Sequence, residues 1–95
     1  MKRKRRIKYE RLKRLRQWRD EVLTCQNMGR VRKLIIDHPS VRKIVTNESI
    51  MADVEITLHD GYEFMGRNFW MRIAVSEAIK KVYWHLANRI TNKEK

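Results

Sequence analysis

The strongest periodic pattern in the chain lies towards its C-terminal end. Apolar residues recur there at intervals of three and four, which is typical of an amphipathic helix. The repeating residues are Val75, Ala78, Ile79, Val82, Tyr83, Leu86, Ala87 and Ile90. Ser76 is the predicted N-cap, and Glu77 suits the positive end of the helix dipole. We expect this helix to cover the apolar face of a sheet.

A β-hairpin precedes this helix. Apolar and polar residues alternate over 54–59, as in a half-buried strand. A three-residue loop over 59–61 places Ile56 opposite Phe64, and it requires a left-handed residue at Gly61. A second turn over 65–68 then predicts a further strand, with Phe69 opposite Phe64.

In that further strand Met71 and Ile73 are predicted to face the core. The β-branched segment 41–46 predicts an additional strand before the hairpin. The result is a three- or four-stranded antiparallel meander.

The N-terminal part of the chain predicts two helices. Leu12, Leu15, Trp18, Val22 and Cys25 form an apolar stripe at helical spacing. This stripe indicates a long helix over about 4–27, which Asn27-Met28-Gly29 would end. A short helix over about 30–37, stopped by Pro39, is the favoured interpretation of the next segment. A strand is its competitor, because Leu34-Ile35-Ile36 is also an apolar run.

These elements predict one α+β domain in a chain of 95 residues. We divide it into a basic arm and helix over 1–27, a small α+β domain over 28–91 and a polar tail over 92–95. A single cysteine, Cys25, rules out a disulfide within the chain, and no run of eighteen apolar residues occurs. We therefore expect a soluble protein of a reducing, cytoplasmic compartment.

The net charge of +12 is concentrated at the N-terminus, where residues 1–19 contain eleven bases and one acid. Positive charges at this density repel one another unless a polyanion neutralises them. The run therefore favours a nucleic-acid-binding function over a solvated surface without a ligand. A membrane surface is less favoured, because the apolar stripe is interrupted and no lipidation signal is present. The predicted nucleic-acid-binding residues are Lys2, Arg3, Lys4, Arg5, Arg6, Lys8, Arg11, Lys13, Arg14, Arg16 and Arg19, joined by Arg30, Arg32 and Lys33, with Arg42 and Lys43 as an extension.

The middle of the chain is acidic, since residues 44–66 contain five carboxylates and no Lys or Arg. Asp53, Glu55, Asp60 and Glu63 are candidate protein contacts that could mimic phosphates in a basic channel. Trp84 lies off the main apolar stripe of its helix and is a further candidate contact, although packing at the core edge is the commoner fate of such a residue.

We find no catalytic or cofactor motif and expect neither enzyme activity nor a cofactor. Nucleotide-binding glycine motifs and closely spaced zinc ligands are both missing from the sequence. Asp53, Glu55 and His59 alternate onto one face of a strand, but any solvated strand face looks the same. The stripe of Leu12, Leu15, Trp18 and Val22 is expected to pack on the domain or, alternatively, on a second copy of the chain.

Three features of the sequence occur together: an N-terminal arm rich in arginine and lysine, the segment Ile56-Thr57-Leu58-His59-Asp60-Gly61-Tyr62-Glu63-Phe64, and a helix opened by Ser76-Glu77-Ala78. This combination resembles the compact accessory proteins of bacteriophages, among them anti-CRISPR inhibitors. The resemblance implies an inhibitor that engages a nucleic-acid-handling enzyme, but it carries over no functional residue. Three hypotheses follow: a nucleic-acid-binding module, an inhibitor of a nucleoprotein target, and a structural component of a ribonucleoprotein.

Overall fold

The computed structural model describes residues 2–92, with side chains described from residue 6 onward. Most of the predicted polar tail, residues 93–95, lies outside this range. The elements are α1 (Lys2–Thr24), α2 (Met28–Ile36), β1 (Val41–Glu48), β2 (Ala52–Leu58), β3 (Glu63–Asn68) and α3 (Met71–Asn92). The strands form one antiparallel sheet in the order β1-β2-β3. The predicted α+β class, with a C-terminal helix packed on the sheet, is confirmed.

The β2–β3 hairpin has the predicted register. Ile56 lies opposite Phe64, and the Leu58 N–H donates to the Tyr62 carbonyl at 2.9 Å. Gly61 closes the loop with a φ of +93°, a conformation that strains any residue with a Cβ atom. Alternating polarity and one glycine were sufficient to specify this hairpin.

The predicted fourth strand is wrong. Strand β3 continues through the supposed second turn to Asn68, and helix α3 begins at Met71. Asn68 accepts a hydrogen bond from the Trp70 N–H through its side chain at 3.2 Å, which bends the chain into the helix. Phe69 and Trp70 are therefore exposed at the corner, at 69% and 70%.

The start of α3 was also misplaced. Ser76 lies within the helix and is not its N-cap, because the N–H groups of Ile73 and Ala74 already donate to the Trp70 carbonyl at 3.0 Å. The predicted buried face is nevertheless correct. Ala74, Val75, Ala78, Ile79, Val82, Tyr83, Leu86 and Ala87 are buried, and they pack over β2 and β3.

Gly66 lies inside β3 and not in a turn, contrary to the sequence interpretation. A Cβ atom at this position would lie 1.8 Å from the Ala74 carbonyl oxygen and 2.9 Å from the Ala78 nitrogen. Helix α3 therefore crosses β3 at backbone contact, with small residues on both sides. This crossing explains why α3 begins earlier than its apolar pattern suggests.

Helix α3 also occupies the outer edge of β3. Lys81 donates through Nζ to the Met65 carbonyl at 2.7 Å. The Arg67 N–H donates to the Glu77 carboxylate at 3.3 Å. Backbone groups that a further strand would need are thus bonded to side chains of α3, which protects this edge from pairing with another chain.

The boundary between α1 and α2 differs from the prediction. Helix α1 ends at Thr24, and Asn27 caps α2 by accepting the Arg30 N–H at 3.2 Å. Gly29 is helical and does not stop α1. An asparagine oxygen three residues before Arg30 is a strong N-cap signal, and it outweighs the C-cap preference of glycine.

Helix α1 lies antiparallel along α3. Lys8 donates through Nζ to the Thr91 carbonyl at 3.1 Å, whereas Arg19 stacks over the Tyr83 ring at 4.3 Å. Leu15 and Val22 are buried in the core that also contains α3. The apolar stripe of α1 therefore packs on its own domain, and a second copy is not needed to cover it.

Trp18 joins α1 to the segment that follows. Its Nε1 donates to the Leu34 carbonyl at 2.9 Å, and its ring centroid lies 4.4 Å from that of His38. These contacts fix α1 at a second point along its length. The helix that bears the densest run of basic residues, 11 of the 23 in the chain, is therefore attached to the domain at several points.

Candidate nucleic-acid interface

The outward face of α1 presents basic and aromatic side chains in one row. Arg6, Tyr9, Lys13 and Arg16 recur at i, i+3, i+7 and i+10 and are all exposed, so they share a single helix face. This face lies opposite Leu15, which is buried. We call Arg6, Lys13 and Arg16 the α1 basic stripe.

The stripe is not neutralised from within the described residues. Glu10 is four residues from both Arg6 and Arg14, a spacing that permits ion pairs on a helix, yet no such pair forms among residues 6–92. Carboxylates elsewhere do form ion pairs, as Asp53 Oδ1 does with Arg67 Nε at 3.1 Å. The positive charge of the α1 basic stripe is therefore directed at solvent.

Some of the predicted contact residues have structural roles. Lys8 bonds the Thr91 carbonyl. Arg19 pairs with Asp20 at 3.1 Å and stacks on Tyr83. Lys2, Arg3, Lys4 and Arg5 belong to α1, but their side chains lie outside the described set. Among the described side chains of α1, the remaining bases are therefore the ones left for contact with a ligand.

A second group of arginines lines a cleft of about 650 Å³. Arg11 and Arg14 of α1 form one wall, and Arg89 of α3 forms another. The turn before β1 completes the rim with His38 and Ser40. Pro39 and the half-buried Ile90 supply apolar surface, with the edges of the buried Leu15 and Leu86 behind them. We call this the arginine cleft.

Arg89 and His38 were not among the residues predicted from the sequence. Arg89 follows His85 by four residues on α3, but only the antiparallel approach of α1 places it near Arg11 and Arg14. His38 stands next to Pro39 and carries no motif. Neither residue gives a signal in the sequence alone, because the cleft is formed by three segments that are distant along the chain.

Arg89 is held in place by Asp60. The Asp60 carboxylate accepts from Arg89 Nη1 and lies 2.8 Å from His85 Nε2. Burial alone would raise the pKa of Asp60, but hydrogen bonds from His85 and from the Tyr62 N–H, with the charges of His85 and Arg89, lower the pKa below its ordinary value. Asp60 is therefore ionised at neutral pH and anchors the Arg89 guanidinium.

His38 is a neutral group at the rim. Burial lowers its pKa, because desolvation disfavours the charged imidazolium. Its Nδ1 lies 3.1 Å from the Ser40 N–H, which donates to it. The neutral ring then has its proton on Nε2, which remains a hydrogen-bond donor.

The four candidate acidic residues do not form one surface. Asp53, Glu55 and Glu63 lie on the face of the sheet turned away from α3, as their pairing with Arg67, Met65 and Thr57 shows. Asp60 instead faces α3 through its contacts with His85 and Arg89. The uniform acidic hairpin inferred from the sequence is thus divided, and two of its acids are paired within the molecule.

The remaining candidates lie apart from the stripe. Arg30 lines a shallow depression with Glu21 at the C-terminal end of α1, while Arg32, Lys33, Arg42 and Lys43 are exposed on α2 and β1.

Trp84 is 63% exposed, and its ring meets Tyr83 edge to face with centroids 5.8 Å apart. It therefore lies beside the Arg19–Tyr83 contact, near α1.

Between residues 2 and 92, no three His, Cys, Asp or Glu side chains lie close enough together to hold a metal ion. None of the described helices combines the length and apolar character needed to span a bilayer. No protein-family model matches the chain, and comparisons with curated proteins and with solved structures give no significant match.

Proposed function

We propose that this chain is a non-enzymatic nucleic-acid-binding protein that lays helix α1 along a phosphate backbone. The observation that carries the proposal is the α1 basic stripe, which is exposed and has no carboxylate partner among the described residues. Arginine and lysine side chains in this state are available to neutralise phosphates. Counterion release then supplies affinity without sequence choice.

The charges are also preorganised. Burial of Leu15 and Val22 fixes the rotation of α1 about its axis, and the Trp18 bond to Leu34 fixes its position. The stripe therefore points outward without further ordering of the backbone. A rigid presentation reduces the conformational entropy lost on binding.

The helix face that carries the stripe can also contact bases. Tyr9 is 66% exposed between Arg6 and Lys13, and an aromatic ring in a basic row can stack on an unpaired base. Phosphate contacts position the protein, whereas base contacts would add preference. The proposal therefore covers both duplex and single-stranded ligands, with the backbone as the common element.

A charge-neutral variant tests the proposal. Arg6→Gln/Lys13→Gln/Arg16→Gln removes the stripe while keeping residues of good helix propensity. We expect binding to a duplex to weaken by at least roughly tenfold, and the slope of log K against log salt to become shallower by about 2.7, since each lost phosphate contact accounts for about 0.9. Fluorescence anisotropy across a salt series measures both quantities.

The matched control is Lys43→Gln/Arg72→Gln/Lys80→Gln. It removes the same number of positive charges from exposed positions outside α1; one of them, Lys43, belongs to the predicted extension that lies apart from the stripe. The proposal expects the control to retain most of the parent slope. Equal losses in the two variants would show that binding follows net charge and not the stripe, and the proposal would then be wrong.

A further inference from the structure

We infer that the arginine cleft accepts one unpaired nucleotide, with its phosphate held by Arg11, Arg14 and Arg89 and its base on the apolar surface between α1 and α3. This inference rests on the nucleic-acid binding proposed above. It adds the class of ligand, because a cleft that takes a base requires single-stranded nucleic acid or an end.

The charges of the cleft suit a phosphate. Its lining contains three arginines and no carboxylate. Arg11 and Arg14 have no ion-pair partner in the described part of the chain. Arg89 uses Nη1 on Asp60, but a guanidinium has five N–H donors. Its side chain remains 59% exposed, so several donors stay accessible to a phosphate oxygen.

The remaining surface does not suit a phosphate. Pro39 is exposed and Ile90 half-buried, while only edges of Leu15 and Leu86 reach the cleft. These apolar groups offer no hydrogen bonds, so a phosphate backbone passing over them would gain nothing. A nucleobase or a ribose would bury apolar area there. The cleft volume of about 650 Å³ lies within the range of about 300–1,000 Å³ typical of small-ligand sites.

Polar groups at the rim complete the fit. His38 is neutral and donates through Nε2, as its bond from the Ser40 N–H requires. A base edge or a ribose hydroxyl presents acceptors for such a donor. Walls from α1, α3 and the turn before β1 are expected to admit a base that projects from the backbone and not one stacked within a duplex.

The direct test is an NMR titration of the full chain with a nucleoside 5′-monophosphate, with inorganic phosphate as the comparison. We expect the nucleotide to shift the methyl resonances of Leu15, Leu86 and Ile90, and to bind at least fivefold more tightly than phosphate. Equal affinities, or unshifted methyl resonances at saturating nucleotide, would show binding of an adventitious anion only and would overturn the inference.

A second test separates this site from the stripe. We expect Arg11→Gln/Arg14→Gln to lower affinity for a single-stranded oligonucleotide at least tenfold more than for a duplex of equal length. The stripe variant, Arg6→Gln/Lys13→Gln/Arg16→Gln, should lower the affinity for both ligands by the same factor. If Arg11→Gln/Arg14→Gln lowers the affinity for both ligands equally, the cleft inference fails while the proposed function stands. If the stripe variant binds the duplex as the parent does, the proposed function fails.

Discussion

The crossing of α3 over β3 makes a strong prediction for Gly66. In Gly66→Ala, the new Cβ atom would lie 1.8 Å from the Ala74 oxygen, 2.8 Å from the Ala74 carbon and 2.9 Å from the Ala78 nitrogen. All three are backbone atoms, which no side-chain rotation can move away. Close carbon–oxygen contacts seldom fall below about 3.3 Å. Helix α3 must therefore retreat by roughly 1.5 Å at this point.

Such a retreat is costly, because a gap of only about 0.5–1 Å forfeits a quarter to a half of a dispersion contact. Ala74 and Ala78 are fully buried against the sheet, so no solvent-filled space absorbs the change. We expect a loss of about 3 kcal/mol, the upper end of the cost of overpacking a core. For a domain of this size this corresponds to a fall in Tm of roughly 12–24 °C.

Gly29→Ala provides the matched control. Its Cβ atom would lie 3.3 Å from Asn27 Oδ1, a close contact that weakens the α2 cap, whereas alanine is a better helix former by about 1 kcal/mol. The two effects offset each other within about 1 kcal/mol.

Urea denaturation and thermal melting, both followed by far-UV circular dichroism, measure the two variants. A Tm for Gly66→Ala within about 4 °C of the parent, under 1 kcal/mol, would refute the close crossing of α3 and β3.

Three further predictions address the other fixed points of the fold. The bonds of Asp60 stabilise the protein above its ordinary pKa of 3.8 and are lost as pH falls through the lowered folded pKa. The Tm difference between parent and Asp60→Asn should therefore shrink below about pH 4, and a pH-independent difference would contradict this. Trp18→Phe leaves the Leu34 carbonyl without its donor and should cost about 1 kcal/mol in urea denaturation; an unchanged midpoint would argue against the bond. Gly61→Val should cost about 1–2 kcal/mol and Gly61→Asn less, so equal Tm values would show that the loop is misassigned.

Local patterns predicted the parts of the fold that local chemistry decides. The alternation over 54–59 and the left-handed requirement at Gly61 specify the hairpin, and the repeat from Val75 to Ile90 specifies the buried face of α3. The apolar stripe of α1 was predicted equally clearly. In each case the residues that define the element lie within a few positions of one another.

The errors occurred where tertiary contacts decide the outcome. Phe69, Met71 and Ile73 alternate as in a strand, yet they lie at the corner and in the first turn of α3. The reason is that Gly66 permits Ala74 to sit directly on β3, which requires the helix to begin before its apolar repeat does. No pattern within residues 69–75 contains that information.

For the candidate site, the sequence predicted the helix but not which of its residues lie together. Charge density indicated α1 as the candidate binding helix, but it could not separate Arg6, Lys13 and Arg16 on the outward face from Arg11 and Arg14 in the cleft. That division depends on which face of α1 packs on α3 and on the antiparallel contact that brings Arg89 alongside. Likewise, the acids looked uniform in sequence until Asp60 was seen to bind Arg89.

The central claim is that α1 binds a phosphate backbone, and the salt dependence of duplex affinity for the parent chain tests it most directly. Three stripe contacts alone give a slope of log K against log salt of about −2.7, since each contributes about −0.9. Affinity should then fall roughly 40-fold between 50 and 200 mM salt, whatever the sequence of the duplex. A slope shallower than about −1, or no binding at low salt, would contradict the account.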